Sequence, residues 1–331
     1  MNNALQEIRH TLSDEIVRLN DFIESSLDAS NPLMNQVIRG YLTSKGKQIR
    51  PILVILSARF FAPDEPQVSE RVIRAAAAVE MLHNATLIHD DVVDDSDTRR
   101  GRATINNVWD NHIAVLVGDF FLSTALREAV ETGDVRIVGS LASLGRKLSV
   151  GEMDQIYNAR YHQVDESSYY KTIGRKTASL FVSCVEMGAF AVGVSADDPR
   201  LEAMRGFAER LGLCFQIKDD IFDYFDDDKI GKPTGNDLRE GKITLPLLYA
   251  LSRTDLAGHD EMNALARQEQ LSGDDIARLI AYAKEAGGID YAYDSMARLR
   301  REGASLLTPW TSAPVTGDFL SLFDYIITRE N

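Results

Sequence analysis

The chain has 331 residues, 44% of them apolar and 26% charged, with nine prolines; such a composition can bury a sizeable core and excludes a disordered polypeptide. A net charge of −14 argues against a general nucleic-acid binder. The two cysteines, Cys184 and Cys214, lie in apolar segments and match no metal-ligand spacing, so they read as buried free thiols in a reducing compartment.

Helical periodicity begins with the first residues. Leu5, Ile8, Leu12, Ile16, Leu19, Ile23 and Leu27 recur at steps of three and four, one apolar stripe on a single long helix. Asp28-Ala29-Ser30-Asn31-Pro32 breaks it, and Pro32 opens the next helix. Thr43 to Arg50 reads as a polar loop, and Pro51 starts an apolar helix to about Phe61. Pro63 and Pro66 punctuate before a long helix that runs from about Val68 into Asp90. Further helices are predicted over roughly 112–131, 134–160, 167–194 and 198–225. A polar loop, Asp226 to Asn236, precedes shorter helices near 243–252, 260–270, 274–286, 290–306 and 316–329.

No alternating strand pattern, linker or composition shift interrupts this series. Residues 1–331 therefore read as a single all-α domain, a bundle of long, mostly antiparallel helices around a central cavity. The N-terminus lacks the basic and apolar regions of a signal peptide. The longest apolar stretch, Leu180 to Val194, is too short to span a bilayer and contains Glu186. A cytoplasmic protein without a transmembrane segment is expected, with transient membrane contact left open.

Two aspartate blocks share one spelling: Asp90-Asp91-Val92-Val93-Asp94 and Asp219-Asp220-Ile221-Phe222-Asp223. Residues i and i+4 share a helix face, so Asp90 and Asp94 point the same way, as do Asp219 and Asp223. Like charges at that spacing repel by a few tenths of a kcal/mol in water and by more where water is scarce. Carboxylates stacked twice in apolar surroundings call for cations between them. Hard oxygen clusters with room for water and phosphate oxygens suit Mg²⁺, and the alternating ligands of a calcium EF-hand are absent.

Basic residues gather around these blocks. Arg99 and Arg100 follow the first, and guanidinium forks bind diphosphate oxygens in bidentate fashion. Lys232 and Lys242 follow the second in turn-rich sequence. Lys47 and Arg50 occupy a loop that opens onto a helix N-terminus, a favourable place for phosphate. Lys176-Thr177 lies inside an apolar helix, where a lysine is costly unless it faces an anion. A lysine snorkelling to the surface would have the same sequence signature.

The ordered series GKQIRP, LIHDDVVDDSDTRRG, GEMDQ, KTA, FQIKDDIFDY and GKPTGNDLREGKITLP, from Gly46 to Leu248, resembles the trans-isoprenyl diphosphate synthases. It is most similar to the octaprenyl and heptaprenyl type. The resemblance implies an all-α homodimer that condenses isopentenyl diphosphate head-to-tail onto an allylic diphosphate. It also implies three Mg²⁺ ions bridging the allylic diphosphate to both aspartate blocks. Carried over by position, Lys47, Arg50, His83 and Arg100 would hold isopentenyl diphosphate. Arg99, Lys176 and Lys232 would grip the allylic diphosphate, with Lys242 a further basic residue. Thr177 and Gln216 would line the reacting allyl group. Asp90, Asp94 and Asp219 would ligate metal directly, Asp91, Asp220 and Asp223 through water, and Glu152 and Gln155 would add to the shell.

Product length is expected to depend on where the apolar tunnel is blocked. One helical turn, about 5.4 Å, is comparable to one isoprene unit. One turn back from Asp90 stand Thr86 and Ala85, where short-chain relatives carry a bulky aromatic, and Ala78, Ala77, Ala76 and Ala75 continue the small residues. These alanines also suit simple close packing of two helices. The reading is a long-chain product of roughly thirty to fifty carbons on that turn-per-unit reasoning, with Phe120, Phe121 and Leu126 as candidate floor residues. The alternative is a short- or medium-chain synthase making geranyl, farnesyl or geranylgeranyl diphosphate. A terpene cyclase would replace the second block, and a non-catalytic partner subunit would lose its aspartates.

Overall fold

All seven residues of the N-terminal stripe are buried, but they lie on two helices. In the computed structural model, which describes residues 3–65, 67–99, 101–225, 234–311, 313 and 315–329, Leu12 (φ −102°, ψ 20°) separates α1 (Asn3–Thr11) from α2 (Ser13–Ser26). The Leu12 N–H still donates to Ile8 O at 3.0 Å, and the Ile16 N–H to Leu12 O at 2.9 Å. The stripe therefore bends without losing its hydrogen bonds. Asn31 caps α3 (Pro32–Leu42) by accepting from the N–H groups of Leu33 and Met34. The apolar segment before Pro63 becomes α4 (Ile49–Phe61), and α5 (Glu70–Val93) carries the first aspartate block to its C-terminus.

No strand was expected, yet two short ones form. β1 (Thr98–Arg99) pairs antiparallel with β2 (Arg102–Ala103), a hairpin too short to leave an alternating pattern in sequence. After α6 (Ile105–Val108) come α7 (Asn111–Glu131) and α8 (Val135–Arg160), each opened by an aspartate cap, Asp110 and Asp134. The C-terminal half contains α11 (Pro199–Phe222), α12 (Asn236–Arg239), α13 (Leu245–Ser252), α14 (His259–Leu265), α15 (Gly273–Glu285), α16 (Gly288–Leu307) and α17 (Thr316–Thr328). Of the loop expected over Asp226 to Asn236, residues 226–233 lie outside the described residues, as does Pro66.

The continuous helix predicted over 167–194 is not continuous. It forms as α9 (Glu166–Ile173), a π-helical turn (Gly174–Ala178) and α10 (Ser179–Ala191). A π turn widens the helix and recurs at functional sites, and this one carries Lys176 and Thr177. Two glycines on neighbouring helices leave room for it. A Cβ on Gly151 of α8 would lie 2.8 Å from the Lys176 nitrogen, and one on Gly212 of α11 would lie 2.5 Å from the Ala178 Cα. Sequence periodicity does not expose this widened turn, because it leads into α10, which is apolar on nearly every side and so shows no shift of phase.

Helices α4 and α10 are buried almost all round, the pattern of central helices. They pack on each other, and the Ser57 hydroxyl of α4 donates to Val185 O of α10 at 2.7 Å. α5, α8 and α11 surround them. A smaller cluster of Tyr224, Leu238 and residues of α13 to α15 packs beneath the end of α11. α17 docks through Phe319 and Phe323, whose rings stand edge-on to Phe207 of α11 at 5.7 and 5.4 Å. Such pairs add about 0.5–1.5 kcal/mol beyond their area burial, and this docking brings Arg329 back to the middle of the molecule.

Filling either glycine is expected to strain the π turn. Gly151→Ala and Gly212→Ala should each lower unfolding free energy by about 1–3 kcal/mol, as overpacked cores do, measured by urea denaturation. Unchanged midpoints for both would show that the turn is not wedged between them.

Candidate active site

A cavity of about 1050 Å³ opens between α5, α8, α11 and the π turn, with the loop before α4 and the loop after α12 at its rim. Asp90 and Asp94 line it from one side, and Asp219 and Asp220 from the other. Both blocks therefore face one space, as their spelling predicts. Of the basic residues, Lys47, Arg50, Arg99, Lys176 and Lys242 line the same cavity. His83, Glu152, Gln155, Thr177 and Gln216 do so as well. Arg100 and Lys232 lie outside the described residues.

The first block divides its work. α5 ends at Val93, and Asp94 closes it as the C-cap while still lining the cavity. Burial pushes the Asp90 carboxyl up to about 6; Lys176 opposes the rise, while Glu152 and Asp94 add to it. Asp91 points elsewhere. It is buried outside the cavity lining and accepts from Arg99 Nε at 2.7 Å, which fixes the guanidinium at the cavity edge.

Lys176 already has company within the chain. It pairs with Glu152 of α8, and its Nζ donates to Gln155 Oε1 at 3.2 Å. Glu152 and Gln155, expected in the metal shell, are thus both held by Lys176. Its neighbour Thr177 starts a buried relay. The Thr177 hydroxyl donates to Gln216 Oε1 at 2.7 Å, and Gln216 Nε2 donates to Asp220 Oδ1 at 2.8 Å. The Tyr169 hydroxyl donates to the other Asp220 oxygen at 2.6 Å. Burial pushes Asp220 up to about 7 despite these two donors. Sequence reasoning missed Tyr169, which sits on a short helix with no motif of its own.

Asp219 pairs with Arg329, another residue missed in the sequence. Arg329 also donates to Phe215 O at 3.1 Å and stacks 4.2 Å over the Phe215 ring. Burial raises the Asp219 carboxyl, and Arg329 counteracts it. Nothing local marks Arg329; only the docking of α17 brings it here. Nearby, Lys47 lies 5.6 Å from the Tyr325 ring, and Arg50 lies 5.7 Å from both Phe181 and Phe215.

Asp223 departs from the expected shared face. α11 ends at Phe222, so Asp223 is a C-cap, and it is absent from the cavity lining. Its carboxylate accepts from the N–H groups of Asn236 and Asp237 at 2.9 and 3.0 Å. Lys242 pairs with Glu240. Burial works against the Lys242 charge, but Glu240 and then Asp94 and Asp237 outweigh it, leaving its pKa above the ordinary lysine value. Among the described residues, no group of three or more His, Cys, Asp or Glu side chains is placed to hold a metal ion unaided. A cation here needs oxygens from water or substrate.

The expected chain-length residues are mostly packed away. Thr86 lines the cavity, but Ala85, Phe120 and Phe121 do not. Phe121 is fully buried, edge-on to Tyr41 at 5.6 Å. Leu126 is 39% exposed on the outer side of α7 and so cannot floor a cavity within this chain. No helix among the described residues is long and apolar enough to cross a membrane.

Residues 31–283 match the polyprenyl synthetase family. Component 2 of heptaprenyl diphosphate synthase from Geobacillus stearothermophilus is 37% identical over 242 residues, covering 73% of this chain and 74% of that protein. Octaprenyl diphosphate synthase from Haemophilus influenzae is 33% identical over 293 residues, covering 87% and 86%. Among solved structures, polyprenyl synthase from Caulobacter crescentus CB15, complexed with calcium and isoprenyl diphosphate, superposes with a TM-score of 0.89 at 28% identity, covering 99% of this chain and 98% of that one.

The two raised carboxyls set a pH dependence. Because folding favours their neutral forms, their stabilising contribution is complete below the unfolded carboxylate value near 3.9. It is lost as pH rises through about 6 for Asp90 and about 7 for Asp220. In chelator, wild-type protein should lose more thermal stability between pH 5 and pH 8 than the Asp90→Asn, Asp220→Asn double variant. Parallel melting curves would count against buried, raised carboxyls.

Proposed function

This chain belongs to the polyprenyl synthetase family and is a prenyltransferase, and we propose that it uses Mg²⁺ to condense isopentenyl diphosphate onto an allylic diphosphate, making a long all-trans polyprenyl diphosphate. The observation that carries this reading is the convergence of Asp90, Asp94, Asp219 and Asp220 with five basic side chains on one cavity. Carboxylates lining one cavity in this way suit divalent cations completed by phosphate and water oxygens. Asp90, Asp94 and Asp219 would hold the metal, and Asp220 would act through water. When bound, Mg²⁺ neutralises charge on the departing diphosphate.

The chain's own groups do the rest. Arg99, Lys176 and Lys242, with Lys232, hold the allylic diphosphate and stabilise the charge that develops on its leaving oxygen. Lys176 exchanges Glu152 for that diphosphate. Lys47 and Arg50, with His83 and Arg100, hold isopentenyl diphosphate so that its double bond meets the allylic cation. The Thr177 and Gln216 dipoles face that cation, and apolar Leu148, Leu180 and Phe215 on the cavity wall keep water from quenching it. Attack by that double bond leaves a tertiary cation on the isopentenyl unit, and loss of a proton from the carbon beside it to the departing diphosphate restores a double bond.

Long-chain relatives support a product beyond twenty carbons. A shorter product is the second reading, favoured by the packing of Ala85 and Phe121 outside the cavity lining. Val115, Leu116 and Val130, exposed on the outer side of α7, favour a homodimer.

The test is product analysis. With Mg²⁺, labelled isopentenyl diphosphate and geranyl, farnesyl or geranylgeranyl primers, chromatography of the dephosphorylated chains should show linear products longer than twenty carbons. A stop at fifteen or twenty would select the second reading, and no incorporation with any primer would overturn the catalytic one. Asp219→Asn and Lys176→Ala should each lower kcat by about a hundredfold or more, as lost charge stabilisation does.

A further inference from the structure

The third aspartate of the second block is the residue whose place departs most from the pattern. Asp94 and Asp223 hold equivalent positions in the two spellings, and both are helix C-caps. Asp94 faces the cavity, whereas Asp223 turns to the segment that begins at Gly235. Its two oxygens accept separately from the first two N–H groups of α12, those of Asn236 and Asp237, at 2.9 and 3.0 Å. Its own carbonyl accepts from the Gly235 N–H at 2.9 Å. Three consecutive backbone donors are thereby tied to one residue.

What those bonds fix matters to the cavity. Asp237 lines it, and the Asp237 carbonyl accepts from the Lys242 N–H at 2.8 Å. Lys242 then stands among Glu240, Asp94 and Asp237. One short path of hydrogen bonds therefore runs from the end of α11 to the basic residue facing the first aspartate block. We propose that Asp223 is a positioning residue and not a metal ligand: it anchors the 234–242 segment to α11 and so sets where Asp237 and Lys242 meet the substrate. This inference rests on the prenyltransferase reading for its consequence, but its geometry can be tested without turnover.

Hydrogen exchange of the full-length protein, free of metal and substrate, is the deciding measurement. An aspartate cap of this kind is worth enough to slow local opening by about five-fold. Asp223→Ala should therefore speed amide exchange over 234–243 by about that factor, leaving the middle of α11 unchanged. Asp223→Asn, whose amide oxygen can still accept one of the two bonds, should recover part of the protection. In turnover assays, Asp223→Asn should shift the Mg²⁺ concentration for half-maximal rate far less than Asp219→Asn does. Exchange over 234–243 that stays at the wild-type rate in both variants would overturn the anchoring role. A Mg²⁺ shift in Asp223→Asn as large as that of Asp219→Asn would return Asp223 to the metal. Failure of the wild-type enzyme to elongate any primer would sink the functional reading and leave the exchange result standing.

Discussion

The cost of placing carboxylates where water is scarce governs this site. Isolated charges in such surroundings either acquire partners or take up protons. The chain shows both responses. Asp91 is paired with Arg99, and Asp219 with Arg329. Asp90 and Asp220 have their proton affinity raised by burial, as does Asp219 in spite of its partner. Helix ends, the π turn and the late docking of α17 can all be understood as means of supplying those partners.

Seen this way, the two aspartate blocks are less alike than their letters. In the first, the middle aspartate turns away to hold an arginine, and the last one stays in the cavity. In the second, the middle aspartate stays, held by Tyr169 and Gln216, and the last one leaves. Each block keeps two carboxylates at the cavity and uses its remaining one on its own framework. Identical spelling has been put to complementary uses by the backbone that follows: a β-hairpin after the first block and a short helix after the second.

Much of this was legible in sequence. The helices over 111–131, 135–160 and 199–222 appear where their apolar spacing places them, and Lys47, Arg50, Arg99, Lys176 and Lys242 line the same cavity. What was hidden has physical reasons. Local periodicity could not reveal that Leu12 bends the first stripe or that residues 174–178 widen into a π turn. Tyr169 and Arg329 reach Asp220 and Asp219 across 51 and 110 residues of chain, and no local pattern encodes such pairs. Asp94 keeps its face with Asp90, but at Asp223, a C-cap like Asp94, the backbone N–H groups of Asn236 and Asp237 draw the carboxylate away from the cavity. Ala85 and Ala75 to Ala78, an open wall by their small size, are buried and do not line the cavity.

The π turn has one more consequence, in the angular phase of the chain. In a regular α-helix each residue advances the side-chain direction by about 100°, so Tyr169 and Thr177 would point about 80° apart. A π turn accommodates an extra residue and takes out roughly one such step, which brings the two directions to within about 20° of each other. That is why a tyrosine ahead of the turn and a threonine within it can serve the same buried relay to Asp220. Loss of a single residue between 174 and 178 would rewind the turn and rotate one of them out of line. The register of these two helices is therefore set by the number of residues in the turn, and side-chain identity alone could not restore it.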